Sequence, residues 1–315
     1  GVWLANLIVT PLRALVNANK LVMKGDLSTT LPIISRDETG LLTESFNEMV
    51  EGLRDREKLK SMFSSYVSTE VADAVMRGEV QLGGEKRWIT TMMTDVRNFT
   101  TYSEGVTPEQ LVGIFNRYFE YMIDSIFEFG GILDKFIGDG ILVEFNAPLY
   151  QERHELRGLM TGLRMREMLK KFNEDQAEIG FAPFAIGMGV HCGDAIIGNI
   201  GAEGKKVEYT ALGDTVNVTA RLESATKEVH TDLIISADLY AKTRDFVDVG
   251  PRVGLALKGK TVPVYAYSVL GLKPGLALGV DLLTMPIEEV RRRVYEAGGE
   301  LESGDAALEA GAAAG

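Results

Sequence analysis

Residues 132–145 read Ile-Leu-Asp-Lys-Phe-Ile-Gly-Asp-Gly-Ile-Leu-Val-Glu-Phe, two short apolar runs joined at Gly138-Asp139-Gly140. Runs of this length around a Gly-Asp-Gly step predict a β-hairpin. Outward from it, strands and helices alternate. Upstream, residues 88–94 predict a strand that ends at Asp95. Thr107-Pro108-Glu109-Gln110 then opens a helix, with Thr as cap and Pro at the first helical position. Its apolar face runs Leu111, Ile114, Phe115, Tyr118, Phe119, Met122, Ile123, Ile126. Downstream, a helix is expected over 151–172, and strands over 184–191 and 195–200 joined at Gly193-Asp194. A strand over 207–210, a helix over 214–226 and strands over 233–235 and 262–269 follow. Two antiparallel hairpins among alternating helices predict an α+β sheet with helices on one face.

The N-terminal part has a different period. Ile8, Leu12, Leu15, Asn19 and Val22 step by four and three, as in a coiled-coil seam with one polar core position. Gly25 can take the left-handed cap, and a connector with Pro32 leads to a second helix near Asp37-Glu38. That helix carries its own seam, Leu42, Phe46, Met49, Leu53, Arg56, Lys60, Phe63, Val67. Arg56 and Lys60 either weaken the seam and set its register or snorkel on a solvated face. A boundary is expected near Gly83-Gly84.

Composition limits the possibilities. The 315 residues include 33 Lys+Arg and 45 Asp+Glu, a net charge of −12. No basic surplus exists to neutralise nucleic-acid phosphates. Hydrophobic residues at 45% and charged residues at 25% exclude a wholly disordered or collagen-like chain. The single cysteine, Cys192, excludes an intrachain disulfide and suits a reducing compartment. Cys192 and His191 read as a core pair, since no second Cys/His pair accompanies them. His154 and His230 are expected at the surface, and the twelve Met residues in the core.

The opening GVWLANLIV is too short to span a membrane, because nine helical residues rise only about 13 Å. It reads either as the last turns of a spanning helix or as the start of a soluble amphipathic one. Arg13, Lys20 and Lys24 behind it fit a cytoplasmic flank. The Gly-Ala-rich end of the chain predicts a largely disordered tail over 271–315, with one helix at 286–297.

Two acids stand at a strand end and a hairpin tip, Asp95 and Asp139. On adjacent strands they could share divalent metal; alone they would read as turn residues. Their surroundings decide. Thr94-Asp95-Val96-Arg97-Asn98-Phe99-Thr100, Asp134-Lys135-Phe136-Ile137-Gly138-Asp139-Gly140 and Leu212-Gly213-Asp214-Thr215-Val216-Asn217-Val218-Thr219-Ala220-Arg221 resemble, in this order, the class III nucleotidyl cyclases. The likeness covers residues 85–270 and implies a ferredoxin-like, palm-like sheet. Thr10-Pro11-Leu12, Lys24-Gly25-Asp26-Leu27 and Asp37-Glu38-Thr39-Gly40-Leu41 resemble a HAMP domain, a parallel four-helix dimer that relays signals below bacterial membrane receptors. The domains expected are therefore a HAMP domain at 1–56, a helical linker at 57–84, a catalytic domain at 85–270 and the tail.

The cyclase resemblance implies residue roles. Asp95 and Asp139 match the metal aspartates, for two Mg²⁺ or Mn²⁺ ions per site. Lys135 and Thr210 match the purine-reading pair, with Thr where many members have Asp. Asn217 and Arg221 match the residues that orient the ribose and stabilise the transition state; unaided, they read as a surface i, i+4 pair. Lys258 and, in a second position, Lys205 match contacts to the phosphates. Phe99 and Thr100 fall in the substrate-binding block. The guanylyl-type Glu and Cys are absent from the reading positions. Lys can donate to adenine N1 and a hydroxyl can accept from the adenine amino group, which implies ATP. The family further implies composite sites in a parallel homodimer, an upstream transmembrane sensor segment and a place on the cytoplasmic face of the cell membrane. Bicarbonate stimulation is known among members with Thr at this position. The rival is a catalytically degenerate cyclase-fold signalling module. A diguanylate cyclase is disfavoured because its Gly-Gly-Asp/Glu-Glu-Phe signature is missing.

Overall fold

The computed structural model describes residues 2–63, 84–202, 206–256 and 263–301. The chain divides into two units, Gly1–Ser65 and Tyr66–Gly315.

In the first unit, α1 (Val2–Val22) runs on through Pro11, and α2 (Glu38–Phe63) follows the connector. Gly25 turns the chain with φ +89°. The connector is fastened to α2 by its own backbone. Asn47 accepts from the Leu31 N–H at 3.0 Å and donates to its carbonyl at 2.9 Å, and Arg54 donates to the Leu27 carbonyl. At the start of α2, Asp37 accepts from the backbone N–H groups of Thr39 and Gly40. Hydrogen bonds from Ser35 and Thr39 hold the Asp37 carboxyl well below the usual carboxylate range. The internal core is Leu15, Ala18, Phe46 and Val50, with Val22 and Leu31 against it. The expected seams are thus half used. Leu15, Val22 and Phe46 pack inside the chain, while Leu12, Asn19, Leu42 and Met49 remain exposed. Among the described residues no helix is long and apolar enough to cross a membrane.

The second unit holds one mixed sheet, in the order β2-β3-β1-β4-β6-β9-β7. Its strands on this path are β1 (Glu85–Val96), β2 (Ile132–Ile137), β3 (Gly140–Phe145), β4 (Ile186–Ala202), β6 (Leu233–Ser236), β7 (Val247–Val249) and β9 (Val264–Leu272). β5 (Lys206–Leu212) pairs with β4 and β8 (Val253–Leu255) with β9. Among the described residues only the β4–β6 pairing is parallel. The helices are α3 (Phe99–Glu104), α4 (Pro108–Glu128), α5 (His154–Glu178), α6 (Asp214–Ala225) and α7 (Ala237–Thr243). α4 starts as its sequence predicts: the Thr107 side chain accepts from Gln110 N–H and the Gln110 side chain accepts from Thr107 N–H.

Four expectations need correction. Residues 184–191 and 195–200 are not a hairpin. β4 is continuous through Gly193-Asp194 and pairs with β1 from Val96↔Ile186 to Glu85↔Ile197. Gly193 serves close packing instead, since a Cβ there would lie 2.7 Å from the Thr215 hydroxyl. The second hairpin is β4–β5.

Helices also lie on both faces, not one. α4 and α5 share the main core with Met92, Met188 and Val190, while α6 packs on the other face through Val218, Leu222 and Ile234. Strand alternation explains this: Leu233 and Ile235 point to the first core, Ile234 to the second. A Cβ at Gly189 would lie 2.4 Å from the Glu223 nitrogen, so glycine lets α6 sit directly on β4.

The third correction concerns the tail. Residues 273–301 fold back on the domain through a 3₁₀ turn (Val280–Leu283) and α8 (Ile287–Glu296). Leu282, Val290 and Val294 are fully buried, and Arg153 donates to the Met285 carbonyl at 2.8 Å. Residues 302–315 and the linker residues 64–83 lie outside the described residues. His154 is buried too, with Nδ1 2.8 Å from the Thr90 hydroxyl, against its expected surface position. Burial lowers its pKa. Cys192 is buried in the main core, where burial pushes its thiol pKa far up.

Candidate active site

The first group of residues gathers at one end of β1. Asp95 is its penultimate residue, and Asp139 is the second residue of the two-residue loop between β2 and β3. Gly138 takes φ +63° at the first loop position, as a type II′ turn requires. Gly140 must also be glycine, because a Cβ would lie 2.3 Å from the Thr94 carbonyl oxygen. The hairpin tip is thereby pressed onto β1. Asp139 Oδ2 accepts from the Val96 N–H at 3.0 Å, and its carboxyl meets that of Asp95. Burial, and then the Asp95 charge, raise the Asp139 pKa. Lys227 Nζ lies 3.3 Å from Asp95 Oδ2 and offsets part of this charge.

Two apposed carboxylates, already drawing an ammonium, fit a hard divalent cation. Among the described residues no group of three or more His, Cys, Asp or Glu could hold a metal unaided. Two carboxylates completed by substrate phosphates are the donor set that Mg²⁺ takes.

The turn after Asp95 is locked from below. Arg97 N–H donates to the Ala185 carbonyl at 2.8 Å, and its guanidinium donates to Thr226 Oγ1 at 2.7 Å and the Thr231 carbonyl at 2.9 Å. Asn98 takes φ 56° before α3. The Phe99 ring packs edge-on to Phe115 at 5.1 Å, which makes it an apolar anchor for the turn. Thr100 is exposed in the first turn of α3.

A second group lies on the sheet face that α6 occupies. Lys135 and Thr210 converge on Asp134. Thr210 Oγ1 donates to Asp134 Oδ2 at 2.5 Å, and Lys135 Nζ lies 3.7 Å from Asp134 Oδ1 and 2.8 Å from Glu208. Asp134 arrives there by a β-bulge. Leu133 pairs with Val143 and Lys135 with Leu142, leaving Asp134 as the extra residue. Beside it Glu144 is fully buried, with Oε1 accepting from Ala211 N–H at 2.7 Å. Burial raises both carboxyls, Glu144 well above its ordinary value. Hydrogen bonding to Glu208 raises the Lys135 pKa and keeps its ammonium charged.

The third group is on α6. Thr215, Val218, Thr219 and Leu222 face the sheet, and Thr219 is tied to Thr91 at 2.6 Å between hydroxyls. Asn217 is therefore turned outward, and Arg221 is half-buried one turn on. Neither side chain has a hydrogen-bond or ion-pair partner among the described residues. Lys205 and Lys258 lie outside the described residues.

Sequence reasoning missed Asp134, Glu144, Glu208 and Lys227. For two of them a signal was present. Asp134 and Glu144 are charged residues inside otherwise apolar strand runs, where burial demands a partner.

The chain is similar to known proteins over both of its units. Residues 84–269 match the adenylate and guanylate cyclase catalytic domain, and residues 3–55 match the HAMP domain. Adenylate cyclase 1 of Rhizobium meliloti (strain 1021) is 31% identical over 274 residues, 85% of this chain and 40% of that protein. An uncharacterized protein of Mycobacterium tuberculosis (strain CDC 1551 / Oshkosh) is 34% identical over 293 residues, 91% of this chain and 50% of its own. The chain thus spans between two fifths and a half of the length of these curated relatives. Among solved structures, the guanylyl cyclase Cya2 superposes with TM-score 0.58 at 37% identity, covering 63% of this chain and 99% of its own. The adenylyl cyclase CyaB from P. aeruginosa gives TM-score 0.58 at 30% identity, covering 62% of this chain and 100% of its own.

Proposed function

The chain belongs to the adenylate and guanylate cyclases of class III and carries a HAMP domain, and from that premise we propose that it converts ATP to 3′,5′-cyclic AMP and pyrophosphate. Its structural relatives include both adenylyl and guanylyl cyclases, so the choice of purine rests on this chain's own residues. The observation that carries it is the convergence of Lys135 and Thr210 on Asp134. The Lys135 ammonium has three donors and gives one to Glu208, which leaves a donor for adenine N1. The Thr210 oxygen accepts from the adenine amino group. Guanine presents the reverse pattern, an N1 donor and an O6 acceptor, and would leave these groups unpaired.

In the reaction the ribose 3′-oxygen attacks the α-phosphorus in line, and the bond to the pyrophosphate oxygen breaks. Asp95 and Asp139 would hold two Mg²⁺ or Mn²⁺ ions, whose Lewis acidity lowers the pKa of the 3′-hydroxyl and offsets phosphate charge. Asn217 orients the ribose. Arg221 meets the negative charge that grows in the transition state, where a fixed, always-charged donor contributes most. Lys258 and Lys205 are assigned to the phosphates.

We assign the acids of one copy and the purine and α6 residues of its partner to one composite site in a parallel homodimer. In support, no hydrogen bond or ion pair among the described residues links Asp95 or Asp139 to Lys135, Thr210, Asn217 or Arg221. The exposed apolar residues Leu12, Val16, Leu42 and Met49 supply a surface for packing the HAMP helices of a second copy. The HAMP domain then acts as the relay that adjusts how the half-sites meet. Arg13, Lys20 and Lys24 behind the apolar start of α1 support a position at the cytoplasmic face of a membrane, below a sensor segment.

The test is turnover and complementation. The chain, with ATP and Mn²⁺ or Mg²⁺, is expected to release cyclic AMP. Asp139→Ala and Arg221→Ala, each inactive alone, are expected to regain activity when mixed as heterodimers. No cyclic nucleotide from ATP or GTP overturns the enzymatic reading. Mixed dimers that form and stay inactive overturn the composite site.

A further inference from the structure

We propose that Asp134 is a positioning residue for nucleotide choice: by taking the only proton of the Thr210 hydroxyl, it leaves Thr210 able to accept from an adenine amino group and unable to donate to guanine O6. The inference rests on the purine-reading role given above to Thr210, and goes beyond it in saying why a hydroxyl, which is both donor and acceptor, would discriminate at all.

A threonine hydroxyl has one proton and two lone pairs. On an exposed strand it rotates freely and serves either purine. Here Thr210 is 6% exposed and its oxygen lies 2.5 Å from Asp134 Oδ2. That distance suits a hydroxyl donating to a carboxylate, the strong charge-assisted form. The geometry is imposed by the fold. The bulge at Asp134 re-aims its side chain, whose own exposure is 1%. Thr210 is held in register opposite Gly198 on β4, and the next residue, Ala211, is fastened through its N–H to Glu144. The backbone that carries Thr210 is therefore fixed beside Asp134.

The remaining atoms fix the charge. Asp134 Oδ1 and Glu144 Oε2 are buried with no other hydrogen-bond partner, and the two carboxyls lie within reach of each other. Two carboxylates buried together hold one proton between them. Lys135 stands 3.7 Å from Asp134, and Thr210 donates to it, so the negative charge belongs on Asp134 and the proton on Glu144. The greater rise in Glu144's pKa, caused first by burial, agrees with this placement. The result is a directed chain: Glu144 donates to Asp134, Thr210 donates to Asp134, and the outward lone pair of Thr210 is left for the purine.

The experiment measures kcat/KM for ATP and for GTP with Mn²⁺ in the full chain and its variants, each checked for folding by thermal melting. The wild type is expected to favour ATP, and Thr210→Val to lose most of that preference. Asp134→Ala frees the Thr210 proton and is expected to lower the ATP-to-GTP ratio at least tenfold, while in the Thr210→Val background it changes the ratio no further. Should Asp134→Ala fold poorly, because Glu144 is left buried without its partner, Asp134→Ala/Glu144→Gln removes the buried acid and carries the same expectation. Equal losses with both nucleotides and an unchanged ratio overturn the inference, since a merely structural role predicts that result. A wild type without cyclic product, or a Thr210→Val variant that keeps its preference, overturns the purine reading itself and the inference with it.

Discussion

Asp139 faces Asp95, and five residues along the same hairpin Glu144 faces Asp134. Both pairs set two carboxyls against each other; burial and then the neighbouring charge raise the pKa of Asp139 and of Glu144, and burial raises that of Asp134. They differ in access. The Asp95 side chain is 33% exposed at a strand end, with Lys227 beside it, while the Asp134 side chain is 1% exposed and Glu144 fully buried. An open pair can be neutralised by a cation from solution. A closed pair can only be neutralised by a proton, and that proton then dictates which way its neighbours' hydrogen bonds run. In the proposed site one hairpin would thus supply a metal-binding end and a base-reading side from the same residue chemistry, separated by solvent exposure.

The comparison can be broken by removing one member from each pair. Asp139→Ala is expected to lower kcat for ATP by about 10²–10³-fold or more, and GTP turnover in the same proportion, because charge stabilisation at the phosphates is blind to the base. Selective loss with one nucleotide would deny the metal end its role. Thr210→Val is expected to act the other way, reducing the ATP-to-GTP ratio of kcat/KM by roughly 10–100-fold, the effect of leaving one buried donor–acceptor match unmade. The smallest effect is on stability. A carboxyl whose pKa is raised on folding contributes stability that is fully present below its ordinary value and is lost as pH rises through its folded value. Glu144 is such a group. Glu144→Gln is therefore expected to melt at or below the wild type in acid and above it by roughly 2–4 °C at alkaline pH. A difference that does not grow with pH would show that Glu144 carries no buried proton.

Most of the catalytic fold was legible because local signals and motifs agreed. The Gly138-Asp139 hairpin, the capped α4 and the α6 block all stand where their residues predict. The failures share a cause, which is that tertiary packing reassigned a local signal. Gly193 looked like a turn, and is a notch for Thr215. The composition of residues 271–315 suggested disorder, yet Leu282 and Val290 join the main core and Val294 is buried. His154 looked exposed at a helix start and is buried against Thr90. In the candidate site, the motif residues could be named from the sequence. Their partners Asp134 and Glu144 showed only as charges inside apolar strand runs; the bulge and the β5 contacts that bring them to Thr210 have no local signature. In the HAMP helices the heptad pattern was visible, but half of it is satisfied within one chain and half is left outward.

The central claim is that this hairpin and β5 select adenine. The most direct measurement is the ratio of kcat/KM for ATP to that for GTP in the unmodified chain with Mn²⁺, with the cyclic products identified by chromatography. The account expects cyclic AMP and a preference for ATP of about 10²-fold or more. Comparable turnover of GTP, or cyclic GMP as the main product, would contradict it.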